Sequence, residues 1–517
     1  MALFIAIIVL ATTLLLIYYF TKPKRTYSYP PGPKGLPIIG SVLDVSPTHL
    51  HVSLTEFGKT YGDLFSVNLL GNRVVVLNSV EVIREAFFTE EYGAVFAGRP
   101  FSFLGKYTDN NCSSFSFMST CKIWQRLRKI VYKTINMYGD GVQEAENNIL
   151  EELHNVIQWI EERSKTPIDV ADVIVPSISN IMTYLLIGRR FDYESPELKS
   201  AVHMSIGIND MGTAGIDALM TMMPFLRFFP FGYGALYKRY MAGIQQYLQY
   251  YHHAQKASHD PCITRGLIDV LLKTQEELRA KGDYCPISDE NVTSTMKDTI
   301  EAGTLTTRAS LISFFLVIGH KPEVVKRIQG EIRREIGGRS SSVLEGSARN
   351  ARTQKATVLE IVRFVTPNSS RPATLHHVGN HVQRLSSPKR YTVLPNYWGV
   401  NHSERYWKNP NDFIPERFLD DSGKLLPLEH PNDASNLMSF SIGKRSCPGE
   451  NFAKSRIFLF ITSLLQRFNF SASEDHPLPP LDSRFFNHGI VPCPRAFQTT
   501  CRGPILGKPH RILYNTI

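Results

Sequence analysis

The 517-residue sequence predicts a mainly α protein with a smaller β part, preceded by a single N-terminal transmembrane helix. Three observations predict it. Stretches with helical period dominate from about Ile123 to Ile336. Short alternating runs, Asp63 to Asn68 and Arg73 to Asn78, read as strands, with a second strand-like zone from about Pro372 to Pro395. Met1 to Phe20 carry no charged side chain at all. A composition of 43% hydrophobic and 20% charged residues is ordinary globular usage, and it excludes disorder, a collagen-like rod and a polytopic membrane protein.

As a helix, residues 1–20 span about 30 Å, the thickness of a bilayer core. The apolar run ends in the interfacial cluster Tyr18-Tyr19-Phe20 rather than in the small residues that precede a signal cleavage site. Lys22, Lys24 and Arg25 follow, so the flank reads as cytosolic and the short N-terminus as lumenal. Residues 21–37 form a basic, Pro-rich linker that includes Pro30-Pro31-Gly32-Pro33; its prolines fix φ and remove donors, giving a stiff spacer above the membrane. Residues 38–517 read as one catalytic domain without internal repeats. Within it, Gly337 to Arg352 is a Ser-, Gly- and Arg-rich loop, and the tail after Phe470 is Pro-rich with short strands.

Lys plus Arg is 57 against 47 for Asp plus Glu, a net charge of +10. That balance suits an acidic partner or an anionic membrane surface. No basic run or nucleic-acid motif accompanies it, so nucleic acid is not among the expected partners. The seven cysteines are odd in number and sparse, with no CxxC pair, which argues against a disulfide scaffold or a zinc ribbon and for a reducing compartment.

One cysteine stands apart. The segment Phe440-Ser441-Ile442-Gly443-Lys444-Arg445-Ser446-Cys447-Pro448-Gly449-Glu450 precedes a run of helical period from Asn451 to Phe468. Pro448 suits the first position of that helix, which places Cys447 at the helix N-terminus, where free N–H groups and the dipole stabilise an anion. Lys444 and Arg445 add positive charge, and together these features favour the thiolate, a soft ligand suited to iron. Gly443 and Gly449 permit tight turns and the approach of a flat ligand, and Phe440 can shield the sulfur.

The spacing FxxGxRxCxG resembles the haem-binding loop of the cytochrome P450 family, and the resemblance extends over nearly the whole chain. It implies the cytochrome P450 fold and haem (heme, iron protoporphyrin IX) as cofactor. It makes Cys447 the proximal iron ligand and gives Arg445 a contact to a haem propionate. Electron release from the thiolate favours O–O cleavage. Glu360 and Arg363 form an ExxR pair sharing one helix face. With Arg417 of Pro415-Glu416-Arg417-Phe418 they resemble the family's structural triad behind the haem. Trp124 and Arg128 lie about 40° apart on a helix and can bind propionates. Lys122, Arg126, Lys129 and Lys133 on the opposite face can meet an acidic electron donor. Cys121-Lys122-Ile123 stands where the family usually has Gly before this Trp. In Arg371-Pro372-Ala373-Thr374-Leu375-His376-His377, an imperfect match, His377 fits the position of a further propionate ligand.

Asp289 to His320 reads as a long helix centred on Ala302-Gly303-Thr304-Leu305-Thr306-Thr307, similar to the family pattern [AG]GxxT. Gly303 leaves room for dioxygen and substrate, and the Thr306 hydroxyl can steer protons during oxygen chemistry. Leu305 departs from the family, which often has a carboxylate there; Glu301 is the nearest acid and could act through water. Met204 to Phe231 is rich in Met and Phe, and its two readings are core packing and a membrane-dipping roof over an apolar pocket.

The Pro-Pro-Gly-Pro start, Trp398-Gly399-Val400-Asn401-His402 and Phe452-Ala453-Lys454 resemble the animal microsomal branch, with its xenobiotic-oxidising and steroid 17-hydroxylating members. This implies an endoplasmic reticulum monooxygenase acting on an apolar small molecule, a steroid, lipid or xenobiotic. It also implies NADPH–cytochrome P450 reductase as electron donor, with cytochrome b5 as a further partner, since no flavin-binding module is present. Two rivals remain. One is a haem-thiolate isomerase or dehydratase that needs no electron donor, motivated by Leu305. The other is a catalytically silent haem-binding membrane protein, kept open by weakened matches such as Arg352-Thr353-Gln354-Lys355.

Overall fold

The computed structural model describes residues 12–13, 29–37, 39–46, 49–137, 143–164, 166–212, 214–335, 351–367, 373–374, 392–427, 434–473, 475–487 and 489–503. The N-terminal anchor, apart from 12–13, lies outside the described residues, as do His377, the 337–350 loop and the first part of the linker.

The longer helices are α1 (Lys122–Met137), α2 (Gln143–Glu162), α3 (Ala171–Ile187), α4 (Pro196–Met211), α5 (Gly232–Leu248), α6 (Leu267–Ala280), α7 (Asp289–His320), α8 (Pro322–Glu335), α9 (Arg352–Val365) and α10 (Glu450–Arg467). The strands are β1 (Leu64–Leu69), β2 (Asn72–Leu77), β3 (Ala373–Thr374), β4 (Thr392–Pro395), β5 (Asn469–Ala472) and β6 (Thr499–Arg502). This is the mainly helical architecture with a small β part that the sequence predicts.

α7 is the axis of the molecule. Its start is set by a capping box: the Ser288 side chain accepts from the Asn291 amide at 3.2 Å, and the Asn291 side-chain oxygen accepts from the Ser288 amide at 3.0 Å. From Asn291 to Ile318 most of its residues are buried on every face. It is long and apolar enough to cross a membrane, yet 72% of its most apolar window is inside the protein. A helix buried on every face belongs in a large core, and α3, α4, α9 and α10 pack around it, enclosing its polar Lys297, Asp298 and Glu301 as well.

The sheet order is β1-β2-β4-β3. β1 and β2 are an antiparallel hairpin, with Leu64 opposite Leu77. β4 then joins β2 in parallel, Val74 opposite Thr392, across most of the chain's length. β5 and β6 form a separate antiparallel pair. Both hairpin strands begin within a residue of their expected starts, and Val75, Val76 and Leu77 are buried in succession, so β2 is covered on both faces.

Two expectations change. Pro448 is not the first helical residue: α10 begins at Glu450 with Gly449 as its N-cap, so Cys447 lies in the loop before the helix. The reason is upstream. A 3₁₀ turn over Gly443–Arg445 and a bond from the Cys447 amide to the Phe440 carbonyl at 2.9 Å shape that loop before the helix can start. The Met204 to Phe231 segment divides between its two readings. Met204, Met211 and Met220 are core residues, whereas Met222, Met223, Phe225, Phe228, Phe229 and Phe231 are exposed.

Candidate haem-thiolate site

A cavity opens between α7, α10 and the 440–449 loop. Cys447, Phe440, Arg445, Gly449, Gly303 and Thr306 all lie on its wall, with Arg128 from α1. Three separate stretches of sequence, α1, α7 and the loop that leads into α10, are thus brought to one place. The loop is positioned by its glycines and aromatics. Gly443 takes φ 73°, and a Cβ there would sit 2.0 Å from the Phe87 carbonyl oxygen, so only glycine lets the loop lie against its neighbour. Ser441, also at positive φ, is held by Tyr397 at 2.6 Å.

Positive charge collects along one side. Arg445 donates to the carbonyls of Ala97 at 2.7 Å, Phe115 at 2.8 Å and Met118 at 2.6 Å. Arg128 donates to the Ser446 carbonyl at 2.7 Å, and Arg99 donates to the Ser116 carbonyl at 2.8 Å. Burial, reinforced by repulsion from Arg99 and Arg128, pulls the Arg445 pKa down to about 8. Burial also lowers that of Arg128. These neutral carbonyls do not balance the converging guanidinium charge. Such a wall fits a ligand with carboxylates at its edge, and the soft sulfur of Cys447 fits an iron centre. The residues present therefore match haem.

Trp124 stands behind this wall rather than on it. Its indole N–H donates to the Phe115 carbonyl at 2.9 Å, and its ring lies 4.3 Å under the Arg445 guanidinium. It supports Arg445 rather than reaching the cavity itself. The basic face of α1 is also narrower than its sequence suggests, because Arg126 pairs with Asp283 at 2.6 Å and Lys122 meets Tyr284. Lys129 and Lys133 remain exposed.

On the α7 side, Thr306 donates its hydroxyl to the Ala302 carbonyl at 2.8 Å. Leu305 is 3% exposed. Glu301 accepts from the Tyr240 hydroxyl at 2.6 Å and lies 3.4 Å from Lys297; burial raises its pKa against the pull of Lys297. Asp298 also reaches the wall, and one of its carboxylate oxygens has no hydrogen-bond partner among the described residues. Gly303 has a packing reason of its own, since a Cβ would come 2.4 Å from the Met182 methyl carbon.

The triad is assembled. Arg363 clasps Glu360 at 2.7 and 2.9 Å, Arg417 reaches Glu360 at 3.1 Å, and Arg363 also donates to the carbonyls of Asn401 and Pro410. It touches no cavity residue through these bonds, so its work is structural. Sequence reasoning did not single out Arg99 or Arg456. Arg99 lies in a loop and gives no periodic signal. Arg456 could have been noticed as a charge placed one turn after Phe452 on a buried helix face.

The cytochrome P450 family model matches residues 30–498. The chain is 29% identical over 506 residues to a steroid 17-alpha-hydroxylase/17,20 lyase of Ictalurus punctatus, covering 96% of this chain and 95% of that one. It is 30% identical over 498 residues to cytochrome P450 2D27 of Mesocricetus auratus, covering 94% and 96%. It is 28% identical over 523 residues to cytochrome P450 2U1 of Homo sapiens, covering 96% and 93%. With the family model spanning nearly its whole length, the chain belongs to the cytochrome P450 family, the monooxygenases that bind haem through an axial cysteine thiolate.

Proposed function

We propose that this chain is an endoplasmic reticulum monooxygenase that inserts one oxygen atom from dioxygen into an apolar small molecule, using two electrons from NADPH delivered by NADPH–cytochrome P450 reductase. The observation that carries this reading is the shared cavity of Cys447 and Thr306, walled by the arginines. Cys447 would ligate the haem iron, Arg445 and Arg128 would hold the propionates, and Phe440 and Gly449 would shape the pocket around the sulfur. Bound haem supplies the oxygen activation.

The protein's own residues do the rest. Thr306 presents a hydroxyl that can take and pass a proton. Leu305 and the apolar walls exclude water from the reacting end. Asp298 offers an acceptor to a substrate that is apolar but carries one hydrogen-bond donor, and the likeness to steroid 17-alpha-hydroxylase/17,20 lyases is consistent with such a molecule. The exposed Phe225, Phe228, Phe229 and Phe231, beside Arg227 and Lys238, support contact with lipid. Residues 1–20 are the proposed anchor, 21–37 the linker and 38–517 the catalytic domain. Cytochrome b5 is a proposed second partner.

The test is a reduced carbon-monoxide difference spectrum of the expressed chain and of Cys447→Ala. The wild type should show the thiolate signature and the variant should lose it; a wild type ligated through nitrogen overturns the assignment. Product formation with reductase and NADPH then separates the monooxygenase from an isomerase or dehydratase, the reading that Leu305 favours.

A further inference from the structure

Arg456 lies on α10 with 2% of its surface exposed. Its guanidinium rests 4.2 Å over the Phe452 ring. Nε donates to the Phe452 carbonyl at 3.3 Å. Nη1 meets the Met182 sulfur at 3.1 Å and the Gly303 carbonyl at 3.3 Å. Among the described residues no carboxylate comes within ion-pair distance of it. Arg363 shows the contrast, because that equally buried guanidinium is neutralised by Glu360. A buried guanidinium that has given up its hydration for a thioether and two carbonyls is poorly compensated. It is nevertheless a permanent cation, since arginine holds its proton in proteins.

Arg456 also shares the wall of the cavity with Cys447. Burial pulls its pKa down to about 9, and among the described residues the charge that opposes that fall is the Cys447 sulfur. Arg99 and Arg445 gather around Phe115, Ser116 and Met118, and Arg128 is held by Ser446, whereas Arg456 is held by Met182, Gly303 and Phe452. The propionate-binding reading therefore leaves Arg456 unexplained.

We propose that Arg456 is an electrostatic positioning residue for the thiolate, a buried cation that stabilises the anionic Cys447 sulfur and biases the bound iron toward its reduced state. This rests on the assignment of Cys447 as axial ligand. The reduction concerned takes one electron from the donor protein, or from an electrode in the test, and converts ferric to ferrous iron without making or breaking a bond. The site becomes more negative by one charge. A fixed positive charge in the same low-dielectric cavity favours that product. The bond from Arg456 to the Gly303 carbonyl also ties the cysteine-side helix α10 to the oxygen-side helix α7, so the charge is held still while the electron arrives.

The experiment compares the full-length wild type with Arg456→Lys and Arg456→Met by potentiometric titration, with haem content and the carbon-monoxide spectrum recorded for each. Arg456→Met should shift the reduction equilibrium about tenfold toward the oxidised form, about 59 mV for a one-electron couple. Arg456→Lys, which keeps the charge, should stay near the wild type. An unmoved midpoint in Arg456→Met with full haem content overturns the proposal. So does an equal shift in Arg456→Lys, which would make the role one of packing. If Arg456→Met does not fold, Arg456→Gln, whose amide nitrogen stands where Nε donates to the Phe452 carbonyl, is judged by the same two outcomes. A wild type without the thiolate spectrum would instead remove the Cys447 assignment, so the two failures are distinguishable.

Discussion

Leu305 stands on the cavity wall beside Thr306 and is 3% exposed, and the acid one turn away, Glu301, is already held by Tyr240 and Lys297. Proton delivery near Thr306 therefore has no free carboxylate at the position where the family often carries one. Leu305→Asp should raise the product formed per NADPH consumed severalfold and lower peroxide release, measured in a reconstituted system. It should also cost about 1–3 kcal/mol of stability, because a polar group replaces a buried apolar one. An unchanged coupling ratio would count against a proton-delivery role for this wall. Away from the cavity, Glu152 is fully buried, accepting from Tyr193 at 2.8 Å and Asn180 at 2.9 Å. Burial pushes its pKa up from 4.5 to about 7. The folded chain thus keeps a proton that the unfolded chain has released. The associated stability is complete below pH 4.5 and is lost as pH rises through about 7. The Tm of Glu152→Gln relative to the wild type should accordingly improve between pH 5 and pH 8, which thermal denaturation at the two pH values checks. At both residues the identity was plain in the sequence. Burial, which sets the behaviour, was visible only after folding.

Among the elements, α7 was the most legible. Its sequence bounds, Asp289 to His320, are the bounds observed, because Ser288 is a strong cap and no proline interrupts the run before Pro322. The hairpin strands were legible as short local runs, although β2 is buried on both faces instead of alternating. The start of α10 was not. Pro448 is a good helix opener, but the bond from the Cys447 amide to Phe440 holds the preceding loop in a different course. The Met- and Phe-rich segment was ambiguous because hydrophobicity does not state which side of it the rest of the chain will occupy. Folding put Met204, Met211 and Met220 inward and left the phenylalanines of 225–231 outside. Gly303 reads in the sequence as room for a ligand, and the structure adds Met182 of α3 pressing on it.

For the molecule as a whole, the net charge of +10 suits an acidic partner or an anionic membrane surface, and the fold narrows where an acidic partner would sit. Arg126 is paired with Asp283 and Lys122 lies against Tyr284, leaving Lys129 and Lys133 as the exposed cations of α1 without such a contact among the described residues. Lys129→Glu combined with Lys133→Glu should slow reductase association about tenfold at low ionic strength, with the difference shrinking as salt is added. Stopped-flow reduction at two salt concentrations checks this, with an unchanged carbon-monoxide spectrum as the control. By itself the sequence determined the helical class, the cysteine loop, the ExxR pair and the family resemblance, since each is written in residues that are neighbours along the chain. Only the tertiary structure decided that Arg99, Arg128 and Arg445 converge, that Arg363 and Arg417 close on Glu360, and that Arg456 is buried beside Gly303 without an acid. The physical reason is range. Periodicity and turn chemistry act within a few residues, whereas charge compensation in a low-dielectric interior depends on which distant segments packing brings together.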